Sequence, residues 1–218
     1  MSINSKALGV VMIAVFLASA MLASAAHAEE EKTPTFTATS TPVRETGTAT
    51  ESHTITSAAG AIKCTEANLL DSAGNGGMML LMKPSYGGCT VAGLSVTVNM
   101  NGCEYTFEPI KTIGEDHYTG RMGIQCPSEK VIEISFKGCL ITIGGQINLE
   151  TVEYTNNTKA EPAKDETWRT EVKKVVYMQT GTGCNGGNLI GELTYKGTET
   201  VKGESAETLE PIGLWIGD

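Results

Sequence analysis

Val96-Thr-Val-Asn-Met-Asn-Gly-Cys-Glu-Tyr-Thr-Phe107 is a strand that runs into Gly-Cys, followed at once by a new strand. Apolar and polar residues alternate on both sides of the Gly-Cys step, the period of a β-strand with one buried face. The pattern recurs. Ile132-Glu-Ile-Ser-Phe-Lys-Gly-Cys-Leu-Ile-Thr-Ile143 aligns to it without gaps, sharing Gly, Cys and Thr, and five further positions exchange one apolar residue for another. The repeat describes how the chain is built and carries no chemistry of its own. Outward from these two stretches, strands are predicted at 35–41, 61–65, 78–82, 94–100, 103–107, 118–125, 131–136, 139–143, 146–154, 168–178, 189–195, 198–201 and 212–216. Gly or Asn punctuates them every 8 to 12 residues or so, the rhythm of an all-β domain. Residues 166–176 have a helix-friendly composition but fit a long alternating strand as well. Many short strands without helices between them predict an all-β fold, a disulfide-stapled antiparallel β-sandwich with a barrel-like variant as the alternative.

The six cysteines sharpen this expectation. Six allow fifteen connectivities, and spacing alone fixes none. A disulfide near the base of a hairpin, however, needs partners equidistant from the turn. Cys64 and Cys89 centre on the run Asp71-Ser-Ala-Gly-Asn-Gly-Gly77, Cys103 and Cys126 on Ile113-Gly-Glu-Asp116, and Cys139 and Cys184 on the polar run 156–165. The pairings Cys89–Cys103 and Cys126–Cys139 instead centre within strand-like runs. The expected bonds are Cys64–Cys89, Cys103–Cys126 and Cys139–Cys184, each stapling a hairpin.

Residues 1–28 read as a signal peptide: Lys6, an apolar and small-residue run from Ala7 to Ala26, and the small-x-small site Ala26-His27-Ala28. Cleavage there leaves no stable membrane anchor, and an even number of cysteines downstream fits a secreted, extracellular protein. Residues 29–59 are rich in Thr and Ser and are expected to supply N-terminal edge strands or a flexible arm; residues 60–218 form the six-cysteine β domain. The whole chain carries a formal charge of −9, and losing Lys6 takes it to −10. Such a balance repels nucleic acid and anionic membranes, so neither is an expected partner.

Candidate chemistry is sparse. Gly181-Thr-Gly-Cys-Asn-Gly186 matches a phosphate-loop pattern but is followed by a strand, Asn188-Leu-Ile-Gly-Glu-Leu-Thr-Tyr195, where that loop would open a helix. It reads as a turn around a disulfide. Glu115, Asp116 and His117 fall at a hairpin tip, and His53 has no second histidine at ligand spacing. Asp71 with Asn75 lacks the acidic ladder of a calcium loop. The pairs Glu115/Asp116 and Asp165/Glu166 read as solvated turn residues, and no cysteine pair has zinc spacing. No catalytic residue, metal ligand or cofactor is therefore assigned, and the chain is expected not to be an enzyme. Trp168 and Trp215 are the candidates for ligand binding through exposed rings, against a core role for both. Asn156-Asn-Thr158 is a formal glycosylation sequon.

Several stretches together carry a resemblance: Phe36-Thr-Ala-Thr-Ser-Thr-Pro42, Gly60-Ala-Ile-Lys-Cys64, Pro84-Ser-Tyr-Gly-Gly-Cys-Thr90, Val98-Asn-Met-Asn-Gly-Cys-Glu-Tyr-Thr-Phe107, Cys126-Pro127, Val152-Glu-Tyr-Thr-Asn156 and the ending Ile212-Gly-Leu-Trp-Ile216. Over nearly all of residues 29–218 the chain resembles uncharacterised secreted six-cysteine all-β proteins of actinobacteria. The resemblance implies a small exported β protein and transfers no active-site residues. The expected function is a secreted, non-enzymatic structural or cell-surface-associated protein. The alternatives are an extracellular glycan- or small-ligand-binding module and a carboxylate-based hydrolase. Expected partners are cell-wall glycan or further copies of the chain.

Overall fold

The computed structural model describes residues 32–71, 77–157 and 165–217. The leader read at 1–28, residues 72–76 with Asn75, and residues 158–164 with Thr158 of the sequon lie outside the described residues. Sixteen strands and no helix occur among those described. In chain order they are β1 (Thr35–Ala38), β2 (Val43–Ala49), β3 (His53–Ser57), β4 (Gly60–Asp71) and β5 (Leu80–Val91). Next come β6 (Leu94–Ser95), β7 (Thr97–Asn99), β8 (Glu104–Gly114), β9 (His117–Gln125), β10 (Ile132–Phe136) and β11 (Cys139–Ile143). The last five are β12 (Gln146–Asn156), β13 (Asp165–Thr180), β14 (Leu189–Ser205), β15 (Pro211–Ile212) and β16 (Leu214–Gly217).

The fold is all-β and antiparallel, sandwich-like rather than a clean barrel. A fourteen-stranded sheet holds everything but β1 and β16, which form their own two-stranded ribbon. The large ladder returns on itself because β13 pairs with β14 over most of its length. One circuit runs β14, β2, β4, β5, β8, β9, β12, β13 and back to β14. A second passes from β5 through the continuous segment β6–β7 to β10, β11, β13, β14, β3 and β4. The long strands β4, β5, β13 and β14 belong to both. Closure of this kind removes most of the free edges that an open sheet would expose.

Alternation decides which face of each strand is inside. β14 buries Leu193, Tyr195, Gly197, Glu199, Val201 and Gly203, every second residue without a slip. β13 buries Glu166, Trp168, Thr170 and Val172, then changes parity to Val175, Tyr177 and Gln179. The change comes from one extra residue between Val172 and Val175, where Lys174 has φ 61°. A bulge of this type keeps both halves of a long strand facing the same core.

The Thr- and Ser-rich stretch is built into the sheet. β2 and β3 share one slot between β4 and β14, β2 against residues 199–205 and β3 against 194–196 of β14, with partners on both sides. Val43 and Ile55 point into the core. The disulfides join Cys64 to Cys89, Cys103 to Cys126 and Cys139 to Cys184, as the spacing predicts. The first pair sits in register across β4 and β5, and the second continues the β8–β9 register by one residue. The third staples an interrupted hairpin: β13 faces β12 with its first half and β11 with its last residues. The break between β11 and β12 is bridged by Gln146, whose Nε2 donates to the Val176 carbonyl at 3.0 Å while its Oε1 accepts from the Val176 amide at 2.8 Å.

The Gly-Cys repeat is one of turn geometry. Asn101-Gly102 and Lys137-Gly138 both have two successive positive φ values, 48° and 81° against 38° and 76°, the backbone of a type I′ turn. β10 and β11 pair as a hairpin across theirs, whereas β7 and β8 diverge into different parts of the sheet.

The β1/β16 ribbon closes one end of the core. Phe36 packs against Tyr154 and Trp168 with ring centroids 5.7 and 5.5 Å apart, and Leu214 and Ile216 are fully buried beside it. Burying each of these three side chains contributes roughly 1.5–3 kcal/mol. The ribbon is tied down by the Phe36–Gly77 backbone bridge and by Asn156, whose side-chain amide pairs with both the N–H and the C=O of Ile216 at 2.9 Å.

Candidate functional site

Three places concentrate chemistry. The first is an open groove of about 570 Å³ on the outer face of β8, β9 and β12. A bulge makes it: between Gln146 and Leu149 β12 carries one residue more than β9, and Asn148 takes φ 58°. The extra residue pushes Ile147 out to 79% exposure, opposite Met79 at 47%. Both line the groove, with Met122 and Ile124 also in its wall. At one side Arg121 grips Glu108 as a fork, Nε to Oε2 at 2.7 Å and Nη2 to Oε1 at 3.0 Å. The hydrogen bonds to Glu108 hold the guanidinium pKa above its usual value. Bulges beside binding sites commonly re-aim a side chain in this way. The surface offers flexible apolar contacts beside a fixed, already paired charge.

The second is a buried polar chain in the upper core. Tyr105, Tyr86, Tyr195 and His53 are linked hydroxyl to hydroxyl to ring: Tyr105 to Tyr86 at 2.9 Å, Tyr86 to Tyr195 at 3.1 Å, and Tyr195 to His53 Nδ1 at 2.8 Å. Glu199 lies 3.4 Å beyond, at His53 Nε2. Tyr86 donates to Tyr195, and His53 Nε2 makes no hydrogen bond to Glu199. Burial pushes His53 down to about 4 and Glu199 up to about 8, so at neutral pH neither carries charge. Burial also raises the Tyr105 phenol to about 12. The nearby core space is only about 20 Å³, too small for a ligand. These residues are the carboxylate, imidazole and phenols of an acid–base relay, held where no substrate reaches.

The third is a pair of carboxyls beneath the ribbon. Glu45 and Glu166 are both 0% exposed. Neither oxygen of Glu45 has a hydrogen-bond partner, nor has Glu166 Oε1, while Trp168 Nε1 donates to Glu166 Oε2. Burial, then Asp71 and Glu166, push Glu45 up to about 9; burial pushes Glu166 up to about 8, with Trp168 pulling the other way. Glu166 is thus not a solvated turn residue. It is the second position of β13, on the same inward face as Trp168.

Trp168 is itself buried, against Phe107 at 4.8 Å and Tyr154 at 5.4 Å. It has no face to offer a ligand, which corrects its candidacy as an exposed ring; Trp215 on β16 is half-buried. Gly181 to Gly187 forms the β13–β14 connection, organised by Gln179 Nε2 donating to the carbonyls of Asn185 and Gly187. His117 is exposed at the β8–β9 tip, 3.1 Å from Thr155 Oγ1. Among the described residues no group of three or more His, Cys, Asp and Glu is placed to hold a metal ion.

Fold and site together define a disulfide-stapled, all-β protein with an apolar outer groove and an uncharged polar core. No family model, curated protein or solved structure matches the chain.

Proposed function

We propose that this chain is an exported, non-enzymatic β protein that acts by binding at the cell surface or in the surrounding medium, with the groove on β8, β9 and β12 as its contact surface. The groove carries the reading: a bulge presents Ile147 beside the exposed Met79 and next to a paired Arg121–Glu108. Three intramolecular disulfides with no free cysteine fit an oxidising compartment. A formal charge of −9 disfavours polyanions, so the partner class is a neutral, amphipathic one such as cell-wall glycan with its apolar sugar faces or substituents. A second surface favours self-association as the other reading: Val176, Met178 and Ile190 are 49%, 47% and 75% exposed on β13 and β14, with Met178 directly opposite Ile190.

Co-sedimentation of the oxidised protein with cell-wall material of the producing organism tests both. The wild type is expected to pellet only with the wall, and Met79→Glu with Ile147→Glu to weaken binding by roughly tenfold or more, the scale of about 1.4 kcal/mol. Equal pelleting of that variant removes the groove from the mechanism. Pelleting without wall material transfers the function to self-association, and a protein soluble in both tubes removes the wall as partner.

A further inference from the structure

We propose that Glu45 and Glu166 form a proton-operated latch under the β1/β16 ribbon: the ribbon is seated while both carboxyls are protonated and lifts when they ionise. This goes beyond binding at the groove and does not depend on it.

The geometry points to the ribbon as the part that moves. Glu45 is the cross-strand partner of Gly203, and a side chain at Gly203 would meet Leu214 Cβ and Ile212 at 3.2 Å. Leu214 of β16 therefore lies directly over the backbone beside Glu45. Glu166 is hydrogen-bonded to Trp168, against which the Phe36 ring of β1 packs at a tilt. The other strands against the two acids, β2, β4, β12, β13 and β14, belong to the closed sheet. The ribbon is a separate two-stranded sheet, joined to β2 through residues 39–42 and to β15 through Gly213. Lifting it hydrates the acids without breaking a ladder of the main sheet.

The groups facing the pair supply no counter-charge. Asp71 faces Glu45 from β4 and raises its pKa. On β12 burial holds the Tyr154 phenol protonated, with Glu166 and, from β8, Glu108 adding in the same direction. From β14 the nearest inward ionisable group is Glu199, which lies 3.4 Å from the uncharged His53 of β3. β1 and β16 present Phe36, Leu214 and Ile216. Among the described residues no Lys or Arg contributes to the shift of either carboxyl, so ionisation there gains no counter-charge from them.

The sign follows from where the protons sit. In the closed form burial holds them to about 9 on Glu45 and about 8 on Glu166; with the ribbon lifted both titrate near the ordinary 4.5. The closed form is fully favoured below that ordinary value, and its advantage is lost as pH rises through the raised values.

Hydrogen exchange on the full oxidised protein, expressed as protection relative to the intrinsic exchange rate at each pH, reads the latch directly. The reporters are the Phe36 amide, bonded to Gly77, and the Ile216 amide, bonded to Asn156. Their protection is expected to fall by roughly tenfold per pH unit for each carboxyl that titrates, while amides of β4 and β5 stay protected. Glu45→Gln with Glu166→Gln, uncharged at every pH, is expected to make the ribbon's protection independent of pH. Any of three results overturns the proposal: ribbon protection in the wild type that holds to pH 10, protection of β4 and β5 lost at the same pH as the ribbon's, or an unchanged pH response in the double variant.

Discussion

Gly197 shows how a single residue makes room for chemistry in this core. A side chain there would meet the His53 ring at 2.6–2.9 Å, so the imidazole occupies the space that any other residue of β14 would fill. Gly197→Ala is expected to cost about 1–3 kcal/mol, the range for forcing extra volume into a packed interior. The loss should shrink in the His53→Ala background, where the ring is gone. A double-mutant cycle in urea, with m-values checked for constancy, measures the coupling; additive effects would show that Gly197 matters for some other reason. The same glycine reads in the sequence as punctuation between two strands, 189–195 and 198–201, where the structure has one strand of seventeen residues. Glu45, Glu166 and Glu199 were equally hard to see. Each sits in register with apolar neighbours two residues away, Val43, Trp168 and Val201, but a carboxyl is so rarely buried unpaired that composition argues for solvent. The alternation around Trp168 held the signal, and the residue type masked it.

At the scale of the element, spacing and period were informative and continuity was not. Symmetry about turn-rich runs gave all three disulfides, because hairpin arms in register keep their partners equidistant from the turn. It worked even for Cys139–Cys184, where one arm is broken between β11 and β12. What holds that break is a side chain standing in for backbone: Gln146 takes both the donor and the acceptor of Val176. Gln146→Ala removes two solvent-exposed hydrogen bonds at the seam and should destabilise by about 0.5–1.5 kcal/mol, with the Val176 amide losing exchange protection before its β14 neighbours. A Val176 amide as protected as in the wild type would mean that the seam closes without Gln146. β2 and β3 were expected only as edge strands or an arm within 29–59, without bounds, for a related reason. Their Thr-rich sequences bury only every second residue and carry few large apolar ones, so a pattern scored on hydrophobicity alone does not find them. They are strands because β4 and β14 on either side leave a slot of their width.

The whole molecule has an unusual balance of buried ionisable groups, and their opposed slopes decide where it is most stable. Glu45 keeps its proton to about 9, and Glu166 and Glu199 keep theirs to about 8, against an ordinary 4.5. Each stabilises the folded state fully below the ordinary value and loses that contribution as pH rises through the raised one. His53, lowered to about 4 from an ordinary 6.5, works the other way: its contribution is present above 6.5 and is lost as pH falls. Every group changes stability by about 1.4 kcal/mol per pH unit within its window. Between 4.5 and 6.5 three carboxyls oppose one imidazole, so the carboxyls win; above 6.5 they act unopposed. Self-repulsion of a chain with a pI near 4.9 adds in the same direction. Scanning calorimetry on the oxidised protein should therefore find Tm highest near the pI and falling at each step toward pH 8. A maximum at neutral pH would mean that the buried carboxyls have partners able to ionise with them. Glu199→Gln removes one of the three slopes while leaving the ribbon latch intact, and so separates the two effects. If the ribbon lifts before the sheet melts, Glu45 and Glu166 no longer contribute to the global transition, and Glu199→Gln should abolish most of the remaining fall in Tm. If the molecule melts as one unit, the same variant should remove only about a third of the slope above 6.5.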